Sequence, residues 1–268
     1  MRSEKVSQET TLPPGARIQL SQCENHGAFD QKVFSVLGRD LKTGCPECVR
    51  LTRERAEESA RQNRALESRI IMERKLGSAL IPKRFADKTF GDYIAITAEQ
   101  KEALRICRKY AEKFSEIAES GRCLLLLGKP GTGKTHLSAA IANEIMAKSS
   151  ATAAHRTVGA VLHAIRATYD RVSEQSESQI LTGLISPSLL ILDEIGASKE
   201  RTSDFELTTL FSIINGRYEE RRPTIIVSNL AAKAIPAAIG ERCADRLREG
   251  GVIVVPFEWE SQRGKEGF

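Results

Sequence analysis

Five residues between 128 and 135 have the types and the spacing to hold a polyphosphate. In LLLLGKPGTGKTHLSAAIANEI, Gly128, Gly131, Gly133, Lys134 and Thr135 fit the pattern G-x-x-x-x-G-K-[ST] between an apolar strand-like run and an Ala-rich helical run. Glycines let backbone N–H groups converge on phosphate oxygens, and the N-terminus of the following helix adds its positive dipole. The expected binding loop is therefore Gly128, Lys129, Pro130, Gly131, Thr132, Gly133, Lys134, Thr135 and His136. Lys134 would reach the β- and γ-phosphates of ATP or ADP, and Thr135 would ligate Mg²⁺. The apolar run SLLILDEIGA ends in Asp193, placed to hold Mg²⁺ through water, and Glu194, placed to polarise an attacking water as a general base. An Asp-Glu pair favours hydrolysis over phosphoryl transfer to a metabolite, so the expected activity is ATP hydrolysis to ADP and phosphate. A third run, RPTIIVSNL, ends in Ser228 and Asn229. Polar residues at the carboxyl end of a parallel strand face the ligand crevice, where Asn229 would contact the γ-phosphate and lytic water. The alternative for Asn229 is a turn or helix cap.

A second chemistry is written near the N-terminus. CENHG and GCPEC supply Cys23, His26, Cys45 and Cys48 as two ligand pairs separated by a hairpin-sized segment. That arrangement suits tetrahedral Zn²⁺ with all four positions filled by protein, a structural and not a catalytic site. A redox pair lacks a thioredoxin-like βαβ context, and unligated cysteines are the remaining alternative. Cys107, Cys123 and Cys243 lie apart and read as small buried residues.

Near the other end, GERCADRLREGG places Arg242 and Arg246 four apart, on one helical face. Transition-state charge on a γ-phosphate needs a cation, and an arginine from a neighbouring subunit supplies one in related systems. Arg246 fits that finger, with Arg242 supporting the interface, and self-association follows. The alternative is a local salt bridge to Asp245 or the neighbouring glutamates.

The elements that must position these groups alternate. Apolar strands at 123–127, 188–192, 224–228 and 252–255, with a weaker one near 153–158, are separated by helices. This predicts an α/β fold with a parallel five-stranded sheet between helices. The amphipathic run AEQKEALRICRKYAEKFSEI precedes it. Residues 1–20 read as a flexible arm, 21–49 as a small zinc-ribbon-like unit with a hairpin at KVFSVLGR, 50–85 as a charged helix and linker, and 86–268 as the ATPase domain. Hydrophobic content of 41% and charged content of 28% are those of a soluble globular protein. The longest apolar runs fall far short of the roughly 20 residues that span a bilayer. With no secretory segment, the chain reads as cytoplasmic. Residues 1–85 hold 16 Lys/Arg against 11 Asp/Glu, so the whole net charge of +5 lies there. That hints at an acidic partner or at a merely solvated helix. Arg166, Arg171, Arg217, Arg221 and Arg222 with Tyr169 and Tyr218 are candidates for tracking and stacking on single-stranded DNA.

A phosphate loop, a DE strand end, an Asn strand end and an arginine helix are the order of an AAA+ ATPase. Together with NGRYEERRPTIIVSNL and FEWESQRGKEGF, they resemble the DnaC-type replicative helicase loaders from about residue 60 onward. The resemblance implies a P-loop AAA+ domain binding ATP and single-stranded DNA. It also implies an N-terminal region gripping the hexameric, DnaB-type replicative helicase and opening its ring, with residues 50–85 the candidate grip. By position, Lys134, Thr135, Asp193, Glu194, Asn229 and Arg246 match the family's nucleotide machinery, and Arg263 matches its sensor-2 arginine. Only 22 residues follow Arg246, too few for a full helical lid, which normally carries that arginine. The zinc unit resembles in part the loader type of spore-forming Gram-positive bacteria. Two other readings share these motifs: an IstB-type ATPase helper of transposition, and a nucleotide-switched adaptor with little turnover.

Overall fold

Residues 16–20, expected in a flexible arm, are extended in the computed structural model, which describes residues 16–36, 38–169, 175–197 and 202–264. The rest of that arm lies outside the described residues. β1 (Ala16–Cys23) pairs antiparallel with β2 (Gly27–Val36), and β2 with β3 (Arg39–Lys42). Alternation in β1 runs against expectation: Ile18 and Leu20 are exposed, while Gln19, Ser21 and Cys23 are half-buried. The inward glutamine is satisfied across the pair, its Nε2 donating to Gln31 Oε1 at 2.9 Å.

α1 (Pro46–Ala79) begins four residues before the 50–85 span expected to hold a charged helix and linker. Pro46 is tolerated in the first turn because its missing N–H would find no partner there. The helix stops where Leu80 turns left-handed at φ 49. Exposed pairs join Arg50 to Glu47 and Glu54, and Arg53 to Glu57. Such i,i+3 and i,i+4 pairs add about 0.2–0.5 kcal/mol each, supporting a helix with little apolar face.

The chain divides into two units between Arg69 and Ile70. That is earlier than residue 86, because Ala79 and Ile81 are buried in one core with Phe90 and Tyr93. In the second unit, α2 (Ala98–Glu112) and α3 (Phe114–Ser120) replace one continuous run. Lys113 breaks it at φ −99, ψ 24, and Phe114 and Ile117 still reach the core.

β4 (Cys123–Gly128), α4 (Lys134–Lys148), β5 (Ala153–Thr157), α5 (Val158–Ala167), α6 (Glu177–Ile185), β6 (Leu189–Ile195), α7 (Asp204–Glu219), β7 (Thr224–Ser228), α8 (Ile235–Ile239), α9 (Glu241–Glu249) and β8 (Val252–Phe257) follow. The five strands form one sheet in the order β5-β6-β7-β4-β8, every neighbouring pair parallel. Leu124 and Leu126 face one way and Leu125 and Leu127 the other, so β4 is buried on both sides. α2, α3 and α4 cover the first face and α5 to α9 the second. Parallel strands covered on both faces are largely apolar, as β4 and residues 189–192 and 225–227 are, whereas the edge strand β5 carries His155, Arg156 and Thr157. No helix follows β8 among the described residues, and none of their helices is long and apolar enough to cross a membrane.

Candidate nucleotide and metal sites

The phosphate loop joins β4 to α4, so the first N–H groups of α4 point out of the carboxyl edge of the sheet without intrahelical acceptors. Gly131 and Gly133 have φ 75 and 93, the left-handed region that favours glycine. Their missing side chains also make room: a Cβ at Gly131 would collide with Ser261, and one at Gly133 would stand 2.5 Å from Tyr93 Cε2.

Lys134 folds back over the loop, its Nζ donating to Gly128 O at 2.8 Å and Lys129 O at 2.5 Å. Burial pulls its pKa down to about 8; Asp193 opposes that shift and Arg263 reinforces it. A bound polyphosphate would offer the ammonium the counter-charge it lacks. Thr135 Oγ1 donates to Asp193 Oδ2 at 2.9 Å, and Glu194 N–H donates to Asp193 Oδ1 at 2.7 Å. A hydroxyl and a buried carboxylate in contact beside a phosphate loop are the hard oxygen donors that Mg²⁺ takes together with substrate phosphates. Glu194 sits in a register irregularity of β6 between Leu192 and Ile195, at φ 61. This kink leaves Asp193 buried and Glu194 exposed one residue later.

The other expected residues divide. Asn229 is exposed just beyond β7, whereas Ser228 turns inward and donates to Ile195 O at 2.6 Å, tying β7 to β6 instead of facing the crevice. Thr132 is buried, its hydroxyl donating to Lys129 O at 2.8 Å. The His136 ring lies 3.1 Å from Thr89 O and edge-on to Tyr93, so the residue offers the loop its backbone, not its side chain. Arg263 lies against Gly131 although no helical lid carries it.

Sequence reasoning missed the groups that hold the loop. Gln262 N–H donates to Gly131 O at 2.8 Å, Trp259 Nε1–H to Thr132 O at 3.1 Å, and Tyr93 O–H to the same oxygen at 3.2 Å. FEWES was noted only for its family resemblance, and Tyr93 stands in a stretch without periodicity.

Arg246 lies far from the loop of its own chain. It borders a cavity of about 400 Å³ that is also lined by Cys123 and Thr224, the first residues of β4 and β7. The loop leaves β4 at its last residue, Gly128, about 16 Å away at the usual strand rise. Arg246 stacks 4.7 Å over the Tyr218 ring, donates to Asn215 Oδ1 at 3.2 Å and pairs with Glu249 at 3.2 Å. Its ion-pair partner is thus one of the neighbouring glutamates, while Asp245 lies 3.9 Å from Arg248. Arg242 stacks over Phe211, also on α7, at 4.1 Å.

Among the DNA-contact candidates, Arg217 is overturned. It is 1% exposed and donates to the carbonyls of Leu184, Ile185, Pro187 and Pro223 and to Thr224 Oγ1. Burial lowers its pKa to about 9, and these bonds engage all three nitrogens of the guanidinium. Tyr218 is covered by Arg246, and Arg222 donates to Ser186 O. Arg166 and Tyr169 remain exposed around Phe205, Arg221 is exposed elsewhere, and Arg171 lies outside the described residues.

In the first unit, the Sγ and Nδ1 atoms of Cys23, His26, Cys45 and Cys48 gather within 4.8 Å of one another. Cys23 and Cys48 Sγ are 3.5 Å apart, and His26 Nδ1 is 3.6, 3.6 and 3.3 Å from Cys23, Cys45 and Cys48. A tetrahedron with bonds of about 2.0–2.3 Å has edges of about 3.3–3.8 Å, so the donors suit Zn²⁺ in kind and number and these four separations match its spacing. The Asn25 backbone N–H and His26 hold the Cys23 thiol down to about 6, while the contact with Cys23 pushes the Cys48 thiol up.

A family model for IstB-like ATP-binding proteins matches residues 34–246. The chain is 34% identical over 205 residues to the replicative helicase loader DnaC of Escherichia coli K12, covering 76% of this chain and 79% of that one. It is 33% identical over 208 residues to the protein of the same name from Buchnera aphidicola subsp. Acyrthosiphon pisum, covering 78% and 80%. A crystal structure of the DnaC helicase loader superposes with a TM-score of 0.58 at 23% identity, over 66% of this chain and 99% of that one, a likeness of fold.

Proposed function

This chain belongs to the IstB-like family of ATP-binding proteins, with DnaC among its relatives, and on that premise we propose that it is an ATP-dependent loader of a hexameric replicative helicase onto single-stranded DNA. The observation that carries the reading is the separation of Arg246 from its own phosphate loop by the length of β4. An arginine so placed does not reach its own chain's nucleotide, which supports a finger that completes a neighbour's site on self-association. ATP and Mg²⁺ bind through the 128–136 loop, Thr135 and Asp193. Glu194 activates water, Asn229 and Arg263 sense the γ-phosphate, and Zn²⁺ holds Cys23, His26, Cys45 and Cys48. α1 is the candidate helicase grip, and Arg166 and Tyr169 are the candidate DNA contacts.

Mass photometry of the protein mixed with the replicative helicase from the same source, with and without ATP, tests the loader role. A discrete complex heavier than the helicase hexamer is expected. Absence of that complex, with ATP-dependent assembly on duplex DNA instead, would replace the loader with a transposition helper. Glu194→Gln separates a turning-over ATPase from a passive switch: hydrolysis should fall about 10²–10⁴-fold with nucleotide binding retained. Wild-type turnover in that variant would remove Glu194 from the mechanism.

A further inference from the structure

His155 stands in the middle of β5, the strand paired with β6, and its side chain is 3% exposed. A polar ring in such a place costs free energy unless its nitrogens are satisfied, and an apolar side chain would fill the same space without that cost. Nε2 is buried and makes no hydrogen bond of normal geometry. It stands 3.4 Å from Asp193 Oδ2, the oxygen that accepts from Thr135 at 2.9 Å. The other carboxylate oxygen is already held by Glu194 N–H. Thr135 and His155 therefore approach the same oxygen, and they are not equivalent. The threonine hydroxyl has lone pairs for a cation as well as the proton it gives Oδ2, whereas the His155 ring nitrogen can serve the carboxylate alone.

We infer that His155 is a positioning residue of the nucleotide–metal site: its ring donates Nε2–H to Asp193 Oδ2 and fixes how that carboxylate faces the cation. The inference rests on the reading of Thr135 and Asp193 as the Mg²⁺ site. Outer partners of this kind orient metal-bound carboxylates, and their loss typically costs about 10–100-fold in metal affinity.

Equilibrium binding of a fluorescent ATP analogue, titrated with Mg²⁺ and repeated in EDTA, tests the role without relying on turnover. His155→Phe keeps a ring and removes the donor, His155→Leu does so with less bulk should phenylalanine not fold, and His155→Gln keeps an N–H. The apolar variants should need about 10-fold or more Mg²⁺ for half-maximal binding, with affinity in EDTA unchanged and His155→Gln restoring part of the loss. An unchanged Mg²⁺ midpoint, or an equal loss in EDTA and in Mg²⁺, would overturn the inference and leave His155 a packing residue. Wild-type protein that binds no nucleotide, or a Lys134→Ala variant that binds as well as wild type, would instead overturn the nucleotide site and His155 with it.

Discussion

Chelating zinc, or replacing Cys45 with serine, is expected to unfold the β1–β3 unit while residues 70–264 stay folded and still bind nucleotide. Among described residues before position 70, Val33 and Cys45 are the buried apolar side chains, whereas Ile18, Leu20, Val36, Leu41 and Val49 are exposed. Fully burying a valine contributes about 1.5–3 kcal/mol. Ordering costs about 1.5 kcal/mol per residue, so three short strands cannot hold themselves on that core. Structural zinc in small modules supplies about 10–16 kcal/mol, several times what a buried valine contributes. The ligands must be deprotonated to bind, so acid should release the metal and unfold the unit in one step. Limited proteolysis and far-UV circular dichroism with and without EDTA, alongside elemental analysis, measure this. A protease-resistant unit in EDTA, or a chain purified without zinc, would show that something other than the metal holds it.

Arg246→Ala should lower ATP turnover of the assembled protein by about 10³–10⁵-fold while leaving the nucleotide affinity of each chain intact. The residue is a β4 strand length from its own phosphate loop, so its loss removes no contact with that loop in cis. Mixing supplies a sharper measurement. Arg246→Ala keeps a sound loop and Lys134→Ala keeps a sound arginine, so combining the two inactive proteins should restore hydrolysis at hybrid interfaces. Failure of the mixture to recover, or wild-type turnover by Arg246→Ala alone, would reduce this arginine to the Tyr218, Asn215 and Glu249 contacts it makes within its chain.

What could be read in advance follows from how locally each feature is determined. A phosphate loop needs glycines where the backbone is left-handed and Lys-Thr at the helix start, and Gly131, Gly133, Lys134 and Thr135 show this in eight residues. Cys23, His26, Cys45 and Cys48 were legible for the same reason, since ligand spacing is itself the signal. β1 was not, because Ile18 and Leu20 point outward and Gln19 inward, the reverse of the usual code. Arg217 was misread because an arginine beside a tyrosine carries no mark of burial. Its role depends on carbonyls at 184–187 and 223 that reach it only in the folded chain. Tyr93, Gln262 and His155 belong with it: each acts through a partner that tertiary structure, not spacing, brings near.

Trp259 is the single tryptophan of the chain, and its indole N–H is bonded to Thr132 O in the middle of the phosphate loop. Indole emission responds to hydrogen bonding and to nearby charge, so the protein carries its own optical probe at the point where a nucleotide arrives. Occupancy of the site can therefore be followed in unlabelled protein and in stopped flow, with the signal arising from one place in each chain.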